Sequence, residues 1–529
     1  MATKLSGPGM QTPGVYIDEL NAFPNSVVPV ATAVPAFIGY TPAASFQGKS
    51  YLNRAQKITS FAEFQAIYCI PDPTAPAAPA KQYSPEYYLV SQKAKPESGD
   101  YMILDNGYYS LLPDPSTIYY LYNSIRLFYQ NGGGDAYIVS VGTYGPPSGK
   151  PAQTSEQIIN PNVQLNDLQN GLALLKNEKE PTIYICPEAT LLSPDQNATL
   201  MQSMLSQCQD MQTAISIFDI IGGRNPDPIL YTNDINNFRN STGSNGLNYG
   251  AAYYPFVGTT IMQNSEIDYT NFFGGDVQQL APLINPPSNP NQALGNLLDS
   301  ISSGDGSMTV QQYNSALMVQ STVYASIVKK TLAIINILPP SGGMAGVITT
   351  VDNTTGVWVA PANTSIVGVT SLPINLDQSQ QEGLNIDAVS GKSINAIRFF
   401  NGIGILVWGA RTLDGNSMDW KYIPVRRTAI MIEQTCKLVT ESYVFQPNVK
   451  NTWESVKSEI SSFLNSLWKE GGLIGASASD AFSVECGLGT TMTGDDILNG
   501  FMNVMVKVAI VRPAEFIVIT FQQQMATSS

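Results

Sequence analysis

Two patterns of apolar residues take turns along this chain. Between 118 and 129, Ile118, Leu121, Tyr122, Ile125, Phe128 and Tyr129 recur at the three-and-four spacing of a helix with one buried face. Directly after them, "AYIVSV" is a continuous β-branched run of the kind found in strands buried on both faces. The exchange continues with "LNDLQNGLALLKN" as helix, "PTIYICPEA" as strand, "TLMQSMLSQCQDM" as helix, and "AISIFDII" and "GAAYYPFVGT" as strands. Nearer the start, "VATAVPAFIGYT" predicts a strand and "TSFAEFQAIY" a helix capped by Thr59 or Ser60. Helices alternating with buried-type strands predict an α/β layer with parallel pairing.

The second half follows a different pattern. A long helix is expected around 309–333, and Asn401-Gly402 between two apolar runs predicts a hairpin. "WKYIPVRRTAIMIEQTCKLVTESYVF" reads as a strand followed by a long helix. Asn448 is placed to cap a further helix whose buried face carries Val449, Trp453, Val456, Ile460, Phe463, Leu464, Leu467 and Trp468, with Gly471-Gly472 closing it. Its other face carries Lys450, Glu454, Lys457, Ser461 and Lys469. Val504, Val506, Val508 and Ile510 alternate as one face of a strand, Pro513 interrupts, and "EFIVITF" predicts a second strand close to the last residue. "GVYIDEL", near the first residue, is likewise extended with nothing nearby to pair with. Residues 71–116, rich in Pro and Tyr, are expected to be an insertion or a surface loop, and residues 262–315, rich in Asn, Pro, Gly and Ser, another surface excursion.

Composition narrows the chemistry. Of 529 residues only 13% are charged, against about a quarter in a typical soluble domain, and uncharged polar residues fill the gap. Surfaces of that kind suit packing against other protein. The net charge of −14, with no Lys/Arg cluster, argues against direct nucleic-acid binding. Five scattered cysteines without a C-x-x-C pair suggest buried thiols in a chain made in a reducing compartment. No secretory leader is expected at the start, and the longest apolar runs are too short to span a bilayer. There is no histidine, which removes Ser-His-Asp and Cys-His catalysis and His-ligated zinc.

The remaining catalytic spellings are weak. The glycines of "LFYQNGGGDAYIVSVG" lie where a helix stops, so carbonyls face them and phosphate would be repelled. "GKS" at 48–50 and 391–393 lacks the upstream glycine of a P-loop, with Ala43 and Ile386 in its place. Ser326-Ile-Val-Lys329 spells S-x-x-K without the S-D-N or K-T-G that should accompany it. Asp495-Asp496 lacks the alternating oxygen ligands of a calcium loop. No catalytic residue, cofactor or metal is therefore assigned. A hydrolase working through paired carboxylates stays open as an alternative, with a static fibre or surface-layer protein as the other.

Several stretches carry a family resemblance: "PPSGGMAGVITTVDNTTGVWVAPAN", "INAIRFFNGIGILVWGARTL", "WKYIPVRRTAIMIEQ", "VFQPNVKNTWESVKSEISSFLNSLWKEGGL" and "TMTGDDILNGFMNVMVKVAIVRPAEFIVITF". With "TPGVYIDEL" and "AVPAFIGYT" near the start, the chain from about residue 12 to 521 resembles the contractile tail sheath proteins of phages and phage-derived injection systems. The resemblance implies an α+β fold: a C-terminal sheath core domain completed by strands swapped between subunits, plus an inserted, outward-facing α/β domain with surface insertions. On this chain it implies a linking arm at 1–25, the outer α/β part at 26–385, the core domain at 386–511 and a linking strand at 512–529. The implied inter-subunit strands centre on Val15, Tyr16, Ile17 and Asp18 at one end and Phe516, Ile517, Val518 and Ile519 at the other. A helix bearing Lys450, Glu454 and Lys457 is implied to face an inner tube. The partners implied are further copies of the chain in six-membered rings, the tube protein, and baseplate and terminator or cap proteins. Nucleic acid and membrane insertion are not implied. Such a chain would be made in a bacterial cytoplasm and become part of a phage tail or tail-like particle. No enzyme activity is implied.

Overall fold

The computed structural model describes residues 27–71, 81–96, 101–153, 157–304 and 306–518. They divide into two compact units: residues 30–432 with 510–518, and residues 433–509 with 27–29.

The larger unit is built on an eight-stranded sheet. Its strands in chain order are β1 (Pro35–Thr41), β2 (Ala55–Ile58), β3 (Ala136–Thr143), β4 (Ile183–Ile185), β5 (Ile215–Asp219), β6 (Gly250–Tyr254), β7 (Asn395–Phe400) and β8 (Gly404–Val407). The spatial order is β8-β7-β6-β5-β4-β1-β3-β2, and the six strands between the two edges run parallel. The edges β2 and β8 are antiparallel to their neighbours. Every residue of β1, β4, β5 and β6 is buried, which explains their unbroken apolar runs. Counting only β1, β3, β4, β5 and β6, the order is the 2-1-3-4-5 of flavodoxin-like sheets, with its switch point between β1 and β4.

Five helices of this unit matter below: α1 (Leu121–Gln130), α2 (Leu165–Leu174), α3 (Pro194–Met211), α4 (Ser341–Thr354) and α5 (Gln378–Asn385). Phe128 of α1 meets Phe37 of β1 edge to face, with ring centroids 5.4 Å apart. The glycines of "PPSGGMAGV" explain how α4 packs on α1. A Cβ on Gly342 would lie 2.5 Å from the Ser124 carbonyl oxygen, and one on Gly346 would lie 2.5 Å from Asn131 Cβ and 2.6 Å from the Phe128 carbonyl oxygen. Only glycine lets the two backbones approach that closely.

Several expectations are corrected here. Residues 71–116 are not simply a surface loop: Tyr87–Gln92, Tyr101–Leu104 and Gly107–Pro113 form an antiparallel meander that buries Tyr87, Leu89, Leu104 and Leu111. Its tight turn places Asp105 and Asn106 at positive φ, the geometry of a two-residue hairpin loop. Residues 262–315 hold the helices Val277–Ile284, Gln292–Ser303 and Val310–Gln320, which bury Leu280, Leu294, Leu298 and Leu317. Three polar residues there are N-caps: Asp276, Asn291 and Thr309. The long helix expected at 309–333 is two helices, because Ser321 ends one and caps Thr322–Ile335. No strand precedes α6 (Ile423–Glu441); Tyr422 makes only a single bridge, to Arg411.

Residues 386–432, expected with the C-terminal domain, group with the larger unit because β7 pairs with β6. The Asn401-Gly402 hairpin forms as expected, with Phe400 opposite Gly404 and Gly402 at φ +80°.

The smaller unit has α7 (Lys450–Lys469) packed on a ribbon of β9 (Phe482–Glu485) and β10 (Met505–Val508). Val456, Ile460, Phe463, Leu464 and Leu467 are its buried stripe, whereas Trp453 and Trp468, expected on the same face, are half-buried and Val449, which precedes the first turn, is exposed. Asn448 is not the cap. Val449 takes that position without a side-chain bond, while Asn448 accepts from Trp453 Nε1 at 2.7 Å and donates to the Phe501 carbonyl at 2.9 Å.

Candidate functional site

In a doubly wound sheet, ligands bind beyond the carboxyl ends of the strands, at the switch point. The larger unit has filled that place itself. Glu188, just after β4, is fully buried, and its Oε1 accepts from the backbone N–H of Leu121 at 2.8 Å and of Tyr120 at 3.3 Å. These amides open α1, the crossover helix whose N-terminus would otherwise attract an anion. A Cβ on Gly39 of β1 would lie 2.3 Å from Glu188 Oε2, so the carboxyl occupies the crevice between the two strands. Burial, reinforced by the charge of Asp219, pushes the Glu188 carboxyl up to about 8 against the pull of its amide donors. Asp219, at the end of β5, does the same for α4, accepting from Ser341 N at 2.9 Å and Ser341 Oγ at 2.5 Å. Burial pushes it up to about 7.

A cavity of about 1050 Å³ lies in the same unit, lined by Tyr120, Thr190, Arg224, Asp227, Asn233 and Asp234 among others. Glu188 and Asp219 are not among its wall residues. Asp234 is pushed up to about 6 by burial and by the charge of Asp227. The Asp227 carboxylate is held low by the amides of Leu230 and Ile229, at 2.8 and 2.7 Å.

The other chemical spellings resolve as structure. Asn131 ends α1, and Gly132 follows at φ +84° as a left-handed stop. Lys392 of the second "GKS" is buried and donates to the Arg239 carbonyl. Ser326 Oγ donates to Thr322 O in its own helix. Asp496 closes a capping box with Thr493. Among the described residues no group of three acidic or cysteine side chains is placed to hold a metal, and no helix is long and apolar enough to cross a membrane. The cysteines are free. Cys69, Cys186, Cys208 and Cys486 are buried and Cys436 is half-buried. Burial pushes the Cys69 and Cys208 thiols up to about 12.

The residues proposed from the two ends fare differently. Val15, Tyr16, Ile17 and Asp18 lie outside the described residues, as does Ile519. Residues 511–518 run without strand pairing, and Phe516, Ile517 and Val518 are 69, 79 and 89% exposed, three consecutive apolar side chains in solvent. The residue just before them is held firmly. Glu515 accepts from Arg411 Nη2 at 2.6 Å and Nε at 2.9 Å, from Asn385 Nδ2 at 2.9 Å and from Tyr422 Oη at 3.0 Å. Despite partial burial its carboxyl is held below the usual range by those donors. At the other end, Arg427 makes a bidentate pair with Asp352 (2.6 and 2.8 Å), and both side chains are 3% exposed. Thr32 joins that pair, donating from Oγ1 to Asp352 at 2.5 Å and accepting at its carbonyl from Arg427 Nη2 at 2.7 Å.

Glu515, Arg411 and Arg427 were not singled out from the sequence. Their ionic partners are 75 or more residues away, and no spacing rule reaches that far.

In the smaller unit, β9 and β10 pair in register from Phe482–Val508 to Glu485–Met505, and among the described residues no third strand joins them. Lys450 and Glu454 of α7 are exposed and Lys457 is half-buried, with Lys457 Nζ 3.2 Å from Glu454 Oε1. Lys450 and Glu454 stand on the exposed side of the buried stripe, as expected.

Residues 416–524 match the model of the phage tail sheath C-terminal domain. The segment is similar to tail sheath C-terminal domains, and the chain as a whole resembles contractile sheath proteins. It is 27% identical over 139 residues to the tail sheath protein of Vibrio phage KVP40, a match covering 26% of this chain and about one fifth (20%) of that protein's length. Over nearly its whole length it is similar to the sheath of the extracellular contractile injection system PVC in its contracted state, at 25% identity and TM-score 0.55, covering 97% of this chain and 98% of that one. A chain of the anti-feeding prophage (AFP) baseplate, solved with six-fold symmetry, shares the fold at 24% identity and TM-score 0.56, covering 97% and 99%.

Proposed function

We propose that the chain is a sheath subunit that polymerises as stacked six-membered rings around an inner tube and contracts to drive that tube through a target envelope. The observation that carries this reading is the end-to-end likeness to a PVC sheath solved in its contracted state. Rings would be joined by exchanged strands. The exposed run Phe516-Ile517-Val518 is of strand composition and unpaired, and among the described residues the two-stranded ribbon β9–β10 has an open ladder that an added strand could extend. Four to six added backbone hydrogen bonds would contribute about 0.5–1.5 kcal/mol each. The N-terminal residues Val15 to Asp18 would make the second such strand. Lys450, Glu454 and Lys457 would meet the tube, with baseplate and cap proteins closing the ends. The energy would be held in the assembled protein by kinetics, with no nucleotide required.

Negative-stain microscopy of the chain, alone and with its inner-tube protein, tests this. Hollow tubes with a helical surface pattern and two distinct geometries are expected. A single geometry would mean a static lattice, and dispersed subunits in both samples would overturn the sheath reading. Removing residues 1–20 or 513–529 should abolish stacking without unfolding the subunit; normal tubes from both truncations would rule out strand exchange.

A hydrolase is the second reading, resting on Asp227 and Asp234, two cavity carboxylates whose protonation is pushed apart. Polysaccharide cleavage that disappears in Asp234→Asn would establish it.

A further inference from the structure

We propose that Arg411 and Arg427 fasten the roots of the two chain ends to one short piece of the fold, so that tension entering through one end leaves through the other. This rests on the sheath reading and adds to it the residues that carry load through a subunit.

Glu515 is the last side chain before the exposed apolar run, and three residues of the larger unit hold it. Thr32, three residues ahead of β1, is held by Asp352 and Arg427. The two arginines are neighbours in space as well as in sequence. Arg411 bridges Tyr422, Ile423 N donates to the Ala410 carbonyl at 2.9 Å, and Tyr422 itself donates to Glu515. Arg427 then sits about one turn into α6, roughly 6–8 Å further along its axis. That first turn is stiffened by Arg426, whose guanidinium lies 4.3 Å from the Trp420 ring and 4.7 Å from the Tyr249 ring. A continuous line of bonds therefore runs from Thr32 through Arg427 and the start of α6 to Arg411 and Glu515.

The test uses the full chain assembled on its inner-tube protein. The critical concentration for polymerisation is measured by pelleting, beside the unfolding temperature of the free subunit. Glu515→Gln and Thr32→Val each loosen one root and leave the buried Arg427–Asp352 pair intact. Each is expected to raise the critical concentration about tenfold, roughly the equivalent of one charge-assisted hydrogen bond, and to shift the unfolding temperature by no more than about 3 °C. Glu266→Gln is the control. It breaks the Arg126 pair, bidentate at 2.9 and 3.2 Å but away from both ends, and should leave polymerisation unchanged. Parent-like polymerisation of both root variants, or an equal loss in Glu266→Gln, would overturn the inference while the sheath reading stood. Failure of the parent chain to form tubes would sink the sheath reading instead.

Discussion

The larger unit has six parallel strands, four of them wholly buried, and caps the N-termini of α1 and α4 with its own carboxyls, Glu188 and Asp219. The smaller unit has one amphipathic helix over a two-stranded ribbon, and no further strand joins that ribbon among the described residues. One meets two of its helix starts with its own carboxyls; the other leaves a ladder that a further strand could extend. The difference teaches where a polymer of this chain would put its bonds: in the small unit and at the chain ends, with the large sheet acting as a rigid body.

The largest effect that would test this contrast is loss of the Arg427–Asp352 pair. Arg427→Ala strands a buried carboxylate and should cost about 3–5 kcal/mol in chemical denaturation followed by circular dichroism. A loss near zero would mean that the large unit does not depend on its internal pairs. Acidity comes next. Glu188 and Asp219 bind protons more tightly folded than unfolded, at about 8 and 7 against ordinary values of 4.5 and 3.8. Their contribution is therefore fully present near pH 4 and is lost as pH rises to about 8, on the order of a few kcal/mol. Glu188→Gln should flatten that slope, and a parent midpoint that rises from pH 5 to 8 would contradict the assignment. Gly346→Ala forces α4 off α1 and should destabilise by about 1–3 kcal/mol in the same assay. Smallest is Lys457→Ala, which removes a solvent-facing pair worth less than about 1 kcal/mol. It sharpens the contrast through binding: a severalfold loss of affinity for the tube protein would place this face on the tube, and unchanged affinity would remove it from the proposed contact.

Much of the larger unit was legible because burial on both faces makes strands such as "AYIVSV" almost continuously apolar, and because α1 and α3 keep helical spacing over ten or more residues. The capped helices at 277–320 were hidden by their own caps: Asn291 and Thr309 look like loop residues until the helices they start are seen. The meander at 87–113 carried a readable signal in Asp105-Asn106-Gly107, which the surrounding Pro and Tyr obscured. Of the proposed site, the unpaired apolar run after Pro513 was visible from propensity alone. Glu515 was not, because a single acid ahead of such a run has no periodicity, and its partners Asn385, Arg411 and Tyr422 come from separate elements.

The carboxyl of Glu188 at the head of α1 also bears on dosage. Had that crevice held a metabolite, each copy in a polymer would be complete only as often as the metabolite was bound, and assembly would follow its concentration. A group tethered a few residues beyond β4 is present at a local concentration no free ligand matches, so its occupancy is one in every copy. Identical subunits, independent of the solute pool, are what a cooperative lattice requires.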